Sequence, residues 1–371
     1  MDVQVLRGIL MTSQRTTQVL EKGNGINIMC DRNGQAYEFH NSFRETSRYQ
    51  RIRPSENAFD AVKYARPHAI DGVTDIIRAS CGNKNVLCLE YSGAVWQWNS
   101  AKREKPQIIR ELSVVVSISC GYEYEFFITN DGQAWCKGDN LKGQLGLGDT
   151  QRRDSLQLVP GVSNANQVFC GIDTTFVLCE KGGVLCCGNN SMFQMSRKFP
   201  NTPQLQFRNL FEESGITRIA VGSKVCIFLC RDGSVLCSGE TDIHANPSAH
   251  EEHQMNLRFV PELSNITQIA CRDMISYCID EDGILWYFKS RWENQKEPRK
   301  LNSEISFSAI SLDYFGNIIL CDREGELYHT YPIHCETAPD YYIVKAPEIF
   351  QGEHFLGICV ERTCAAKSAR K

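Results

Sequence analysis

The chain has 371 residues, 42% of them hydrophobic and 23% charged, with a formal net charge of −4. This balance excludes an intrinsically disordered chain and gives no electrostatic case for nucleic acid or an anionic membrane as partner. The apolar runs are too short to span a bilayer as helices, so no membrane insertion is expected.

In chain order, Met1–Arg15 makes a poor secretory signal, with an early Asp2 and an interrupted apolar stretch. Within it, Val3 to Gly8 has the apolar-then-glycine look of the third strand of a repeat unit. From there a pattern recurs, anchored on Gly34, Gly93, Gly132, Gly182, Gly233, Gly283 and Gly325. Successive anchors lie 59, 39, 50, 51, 50 and 42 residues apart. Three belong to Asp-Gly pairs, at Asp131, Asp232 and Asp282, which favour tight hairpin turns. Two positions after the anchors stand Ala36, Val95, Ala134, Val184, Val235, Leu285 and Leu327. Three positions after stand Tyr37, Trp96, Trp135, Leu185, Leu236, Trp286 and Tyr328. Both rows suit a strand buried on two faces, which would put the repeat-strand tryptophans, Trp98 included, in the core. A second glycine precedes five anchors by eleven residues: Gly23, Gly82, Gly121, Gly171 and Gly222. Arg272 and Tyr314 take its place in the last two units.

Each unit thus reads strand, glycine turn, strand, Asp-Gly-type turn, strand, then a longer connection. Meandering sheets of about four strands cannot cover both faces alone; stacking them around an axis does. Residues 55–68 read as a short helical insertion before Pro67, which accounts for the widest spacing. Residues from Gly352 to Val360 resemble a first half-unit, so the two ends are expected to share a blade and close the ring, leaving seven or eight blades open. The expected organisation is all-β: one closed β-propeller over residues 1–364 and a short basic tail over 365–371.

The 18 cysteines lie mostly inside strand-like runs without a CxxC pair. They read as small buried hydrophobes in an intracellular reducing compartment, cytoplasm or nucleus, in preference to disulfides or metal ligands. Asn189-Asn190-Ser191 and Asn265-Ile266-Thr267 match the glycosylation pattern and would go unused there.

The residues Cys120-Gly121, then Asp131-Gly132-Gln-Ala-Trp135-Cys-Lys-Gly138-Asp-Asn140-Leu-Lys-Gly143-Gln144-Leu145-Gly146-Leu-Gly148-Asp149, resemble the RCC1 (regulator of chromosome condensation) repeat. Gly171, Gly182, Gly188, Asn189 and Asn190 form a weaker copy, and Gly222, Asp232, Gly233 and Gly239 another. The resemblance implies a β-propeller of RCC1-like repeats, typically seven-bladed. It also implies one of several roles: nucleotide exchange on a Ran-like small GTPase with docking on chromatin, or protein interaction and scaffolding. A bacterial effector acting on host GTPases in the host cytoplasm is a further role of the fold. This chain departs from the pattern where many relatives carry histidine eight residues before the anchor. Here stand Ile26, Asn85, Tyr124, Thr174, Val225, Ile275 and Asn317, and the GQLG element is complete once.

The chain has no nucleotide-binding GK[ST] loop, no HExxH and no motif for a cofactor or metal. His244, His250 and His253 share a loop with Asp242, Glu251 and Glu252, where an exposed polar loop is favoured over a metal site. Asp139 and Asp149 flank the best repeat and read as turn-satisfying residues or as a polar rim for a partner. Trp292 beside Arg291 is the aromatic–arginine pair that best fits an interface anchor. Two basic patches, Arg44 to Arg53 and Lys289 to Lys300, read as solvated loops. Together these features indicate a non-catalytic propeller that binds a protein partner through loops 41–66, 241–256 and 288–300. The alternative is an exchange factor for a Ran-like GTPase.

Overall fold

The computed structural model describes residues 20–22, 26–30, 34–42, 63–64, 68–99, 102, 104–212, 214–239, 257–272, 275–289, 298–301, 303–312, 318–324, 326–332 and 341–345. Apart from one turn of 3-10 helix at Glu180–Gly182, the regular structure of these residues is all strand. The strands form seven antiparallel sheets, and six of them are four-stranded meanders in sequence order. Their inner strands are Ile76–Cys81, Val115–Cys120, Ala165–Cys170, Ile216–Val221, Ile266–Arg272 and Phe307–Leu312. Successive inner strands lie against one another, which is the propeller arrangement. The first sheet holds Leu20–Lys22, Ile26–Cys30 and Ala36–Ser42, with Lys63–Tyr64 and His68–Ala69 both paired to Ala36–Ser42.

The expected helix over 55–68 is not formed where it is described, because Lys63–Tyr64 and His68–Ala69 are strands. His68 and Ala69 pair with Glu38 and Tyr37, so backbone demand at the edge of the first sheet overrides the local helical pattern. The proposed end strands, Val3–Gly8 and Gly352–Val360, lie outside the described residues.

The core sits between neighbouring sheets. In the third sheet the second strand, Tyr124–Thr129, is buried at all six positions. Tyr124, Phe126 and Ile128 pack towards Val168 and Val177 of the fourth sheet, while Phe127 packs towards Leu87 and Leu89 of the second. Between the fourth and fifth sheets the rings of Phe176 and Phe228 meet edge to face, 5.6 Å between centroids.

The anchor glycines are the joints between sheets. At five of them the carbonyl takes the N–H that opens the next inner strand: Gly34 from Ile76, Gly93 from Val115, Gly132 from Ala165, Gly233 from Ile266 and Gly283 from Phe307, at 2.8–3.0 Å; the Gly182 carbonyl instead accepts Ser214 Oγ, which in turn takes the Ile216 N–H. At Gly132 φ is +77°, and an added Cβ would lie 2.9 Å from the Asn164 Cα and N. Both the turn and the close approach therefore require glycine. In all six four-stranded sheets the inner strand carries a register shift between its first and third residues, as between Val115 and Ser117. Such bulges bend and twist a strand, consistent with its place at a crowded axis.

The two rows behind the anchors differ. The described residues two positions after, from Ala36 to Leu285, are buried; those three positions after are half-buried. Trp96, Trp135 and Trp286 are thus not core residues, whereas Trp98 is. The reason is polar. Trp96 Nε1 donates to Glu90 and Trp286 Nε1 to Asp280 (2.8 Å), and the Tyr328 hydroxyl donates to Asp322 (2.9 Å). Each acceptor stands three residues before its anchor, so the pair straps the hairpin while the ring covers the outer strand. Burial and the Asp322 bond push the Tyr328 hydroxyl up to about 12.

Candidate protein-interaction face

Strand alternation puts the first–second turns and the third–fourth connections at one end of the sheets, the upper face. The anchor hairpins and sheet-to-sheet connections lie at the other. The long connection of the third sheet is built on Asn140 and Gln144, both buried. Asn140 Oδ1 accepts the Leu145 N–H (2.9 Å) and Gln144 Oε1 the Lys142 N–H (2.8 Å). The fourth sheet repeats this with Asn190 to Met195 (3.0 Å) and Gln194 to Met192 (2.9 Å). The Asn-x3-Gln element is therefore present twice in structure although GQLG is complete once in sequence.

Each connection straps the next sheet. The Gln144 carbonyl accepts Thr175 Oγ1 (2.8 Å) and Cys187 Sγ (3.3 Å) of the fourth sheet; the Gln194 carbonyl accepts Ser238 Oγ of the fifth. Gly146 lies under the Phe207 ring and Gly148 N–H reaches the Leu205 carbonyl at 2.8 Å. Small side chains at the positions of Thr175 and Cys187 leave room for the strap. The equivalent residues of the third sheet are Glu125 and Lys137, and residues 99–106 before them carry no Asn-x3-Gln. Glu125 is 1% exposed, with Lys137 Nζ 3.4 Å away. It accepts from Asn85 (2.6 Å) and Gln97 (3.2 Å) of the second sheet. Burial raises the Glu125 carboxyl, and Lys137 opposes the rise. A charged side-chain network here takes the strap's place between sheets, and its signal in the sequence was a Glu and a Lys where other units hold Thr175, Cys226, Cys187 and Ser238.

Of the residues singled out from sequence, the structure places Asp139 and Asp149 on the upper face. Asp139 Oδ2 accepts Gln144 Nε2 (2.8 Å). Asp149 accepts Arg153 (2.6 Å), the Gln151 N–H (2.9 Å) and Asn140 (3.1 Å). The Arg153 bond, then the amide, hold the Asp149 carboxyl below its ordinary range. His244, His250, His253, Arg291 and Trp292 lie outside the described residues, as do most of loops 41–66, 241–256 and 288–300. Of the second basic patch, Arg299–Lys300 is a short outer strand whose Lys300 Nζ sits 4.7 Å from the Trp286 ring centroid.

Sequence reasoning missed four exposed apolar residues on this face: Tyr122 (38%), Leu141 (70%), Ile172 (44%) and Met192 (38%). Backbone bonds hold their loops together. Asp139 N–H reaches the Glu123 carbonyl beside Tyr122, and Asn189 N–H reaches the Asp173 carbonyl beside Ile172, both at 2.9 Å.

The described cysteines are free thiols in or between sheets. Burial pushes the Cys136 thiol up to about 12 and raises Cys186, Cys187, Cys226 and Cys278 further. Among the described residues no three His, Cys, Asp or Glu side chains are placed to hold a metal ion. No described helix is long and apolar enough to cross a membrane.

Family models for the regulator of chromosome condensation (RCC1) repeat match residues 115–144 and 166–194 and, in a second form, 131–178. Protein RCC2 of Homo sapiens is 33% identical over 89 residues, 20% of this chain and 17% of that relative's own length, so the match spans a small part of it. Human WBSCR16 superposes with a TM-score of 0.63 at 17% identity, covering 84% of this chain and 88% of the other. Prp20p from Saccharomyces cerevisiae, described with its binding to Gsp1p and histones, superposes at 0.61 and 17% identity over 90% and 86%. At these identities the structural likeness is one of fold.

Proposed function

We propose that this chain, which carries matches to the RCC1 repeat over residues 115–194 and shares the fold of RCC1-type propellers, is a non-catalytic interaction propeller whose upper face holds a protein partner. The observation that carries this reading is the contrast on that face between polar and apolar side chains. Asp139, Asp149, Asn140 and Gln144 spend their polar atoms on the loop itself, and the buried thiols are held protonated. Tyr122, Leu141, Ile172 and Met192 are instead exposed apolar side chains, as interface anchors are. Free thiols throughout the sheets support a reducing, intracellular location.

Nucleotide exchange on a Ran-type GTPase is the second reading, favoured by the fold shared with Prp20p. Such activity needs no acid or base, only tighter binding to the nucleotide-free GTPase. Nucleotide release from purified Ran- and Rab-type GTPases, with and without catalytic amounts of this protein, separates the two. Acceleration establishes the exchange reading. No acceleration, with a stable partner retained by the wild-type protein, supports the interaction reading.

A further inference from the structure

We propose that Ser155 is a phosphorylation site for an arginine-directed protein kinase, one whose substrate groove offers carboxylates to guanidinium groups and an apolar pocket to the residue after the acceptor. Ser155 follows Arg152-Arg153-Asp154 and precedes Leu156. Of all the serines and threonines in the chain, it alone has basic residues at both the second and the third position before it. Two planar, forked donors at fixed offsets along an extended segment are what a carboxylate-lined groove selects for.

The fold presents this segment. Ser155 lies in Arg153–Leu158, the strand that ends the third sheet. Asp154 and Ser155 are exposed, while Leu156 is half-buried on the cluster between the second and third sheets. Arg153 pairs with Gly138 and Gln157 with Cys136, so Asp154, Ser155 and Leu156 all stand opposite the single residue Lys137. This bulge takes Ser155 out of the regular ladder in an outermost strand, where local opening costs least. Among the described residues the Ser155 hydroxyl only accepts, from Gln157 Nε2 (3.2 Å), so reaching it breaks one side-chain bond. Ser234, which has Arg231 three residues before it, sits instead in a tight hairpin turn and is bonded to Asp232 (2.7 Å).

The two arginines are held unequally. The Arg152 side chain is 54% exposed and reaches Asp154 at 3.1 Å and Glu123 at 3.8 Å. Such exposed pairs are weak and exchange readily for another carboxylate. Arg153 is clamped, with Nη2 on Asp149 and Nη1 on the Gln151 carbonyl, both at 2.6 Å. Asp149 therefore sets how readily the segment enters a kinase. In the transfer Ser155 Oγ attacks the γ-phosphorus of ATP, and the bond from that phosphorus to the β–γ bridging oxygen breaks. ADP leaves, and the hydroxyl proton passes to the kinase's catalytic carboxylate. The product adds about −1.5 to −2 charge and three acceptor oxygens, which compete with Asp149 and Asp154 for the two guanidinium groups. Asp149 also accepts Asn140 and the Gln151 N–H, so the mark is coupled to the upper-face connection.

The test incubates the folded full chain with ATP and the catalytic subunit of cAMP-dependent protein kinase, and locates phosphate by peptide mass spectrometry. Phosphate is expected on Ser155, and its uptake there should be lost in Ser155→Ala. Arg152→Ala should slow it about tenfold or more, the worth of a charge-assisted guanidinium–carboxylate contact. Asp149→Asn, which frees Arg153, should speed it about threefold or more. An unchanged circular-dichroism melt identifies variants that keep the fold. Phosphate confined to other residues, or uptake unchanged by Ser155→Ala or Arg152→Ala, overturns the proposal. So does modification of a synthetic peptide of residues 148–160 with none on the folded chain, because the fold would then hide the motif. A rate that Asp149→Asn leaves unchanged or lowers overturns the part given to Asp149.

Discussion

Replacing Lys137 by Met removes the cation from Glu125 and, with it, the bond Lys137 Nζ donates to Gln97 Oε1 (2.6 Å). Glu125 is 1% exposed and keeps only the amides of Asn85 and Gln97 as donors once Lys137, 3.4 Å away, is gone. Stranding one partner of a buried ion pair costs about 3–5 kcal/mol at neutral pH. The cost depends on pH with a definite sign. Burial raises the Glu125 carboxyl in the folded state, so folding favours the protonated form. The group's contribution is therefore most favourable below its unfolded pKa of about 4.3 and is lost as pH rises through the folded value. Lys137 limits that loss, so the penalty of Lys137→Met should grow as pH rises and shrink as it falls, by up to about 1.4 kcal/mol per unit. The double variant Glu125→Gln/Lys137→Met retains both amide donors and buries no charge, and should lie within about 1 kcal/mol of wild type or above it. Urea denaturation from pH 5 to 8 measures both. A Lys137→Met penalty that is flat across this range, or a double variant as unstable as the single, would refute the argument.

Gly132→Ala and Gly72→Ala both place alanine at positive φ (+77° and +78°), but only Gly132 has backbone within 3 Å of the new Cβ. Thermal unfolding should show about 1–2 kcal/mol of strain at Gly72 and a further 1–3 kcal/mol of crowding at Gly132, and equal losses would contradict the joint. Asn140→Ala orphans the buried Leu145 N–H and should cost about 2–3 kcal/mol in denaturant titrations. Iodoacetamide at pH 8 should spare Cys136, Cys187 and Cys226 in the native protein and modify them after denaturation, because burial holds these thiols protonated. Peptide mass spectrometry reads the outcome, and native labelling of these three or disulfides among them would overturn it.

Local rules were enough to make the repeat legible. Glycine at φ beyond +20° and period-2 burial follow from backbone sterics and strand geometry, so the anchors, the hairpins and the buried row from Ala36 to Leu285 could be read from their offsets. The partners of those residues could not. Whether Trp96 and Trp286 are core or half-exposed depends on Glu90 and Asp280 six residues away, and an acid at that offset has no meaning until the hairpin is folded. The short strand at Lys63–Tyr64 went unread for the same reason, since its pairing to Asn41 and Ser42 is non-local. Sequence alone led to the loops whose length stood out. The patch at Tyr122, Leu141, Ile172 and Met192 gave no signal, because its members come from four connections in two adjacent sheets. An isolated apolar residue in a turn looks the same whether it is buried by the next sheet or left bare. Only the tertiary packing, with Gln144 strapped to Thr175 and Gln194 to Ser238, decides which side chains are covered.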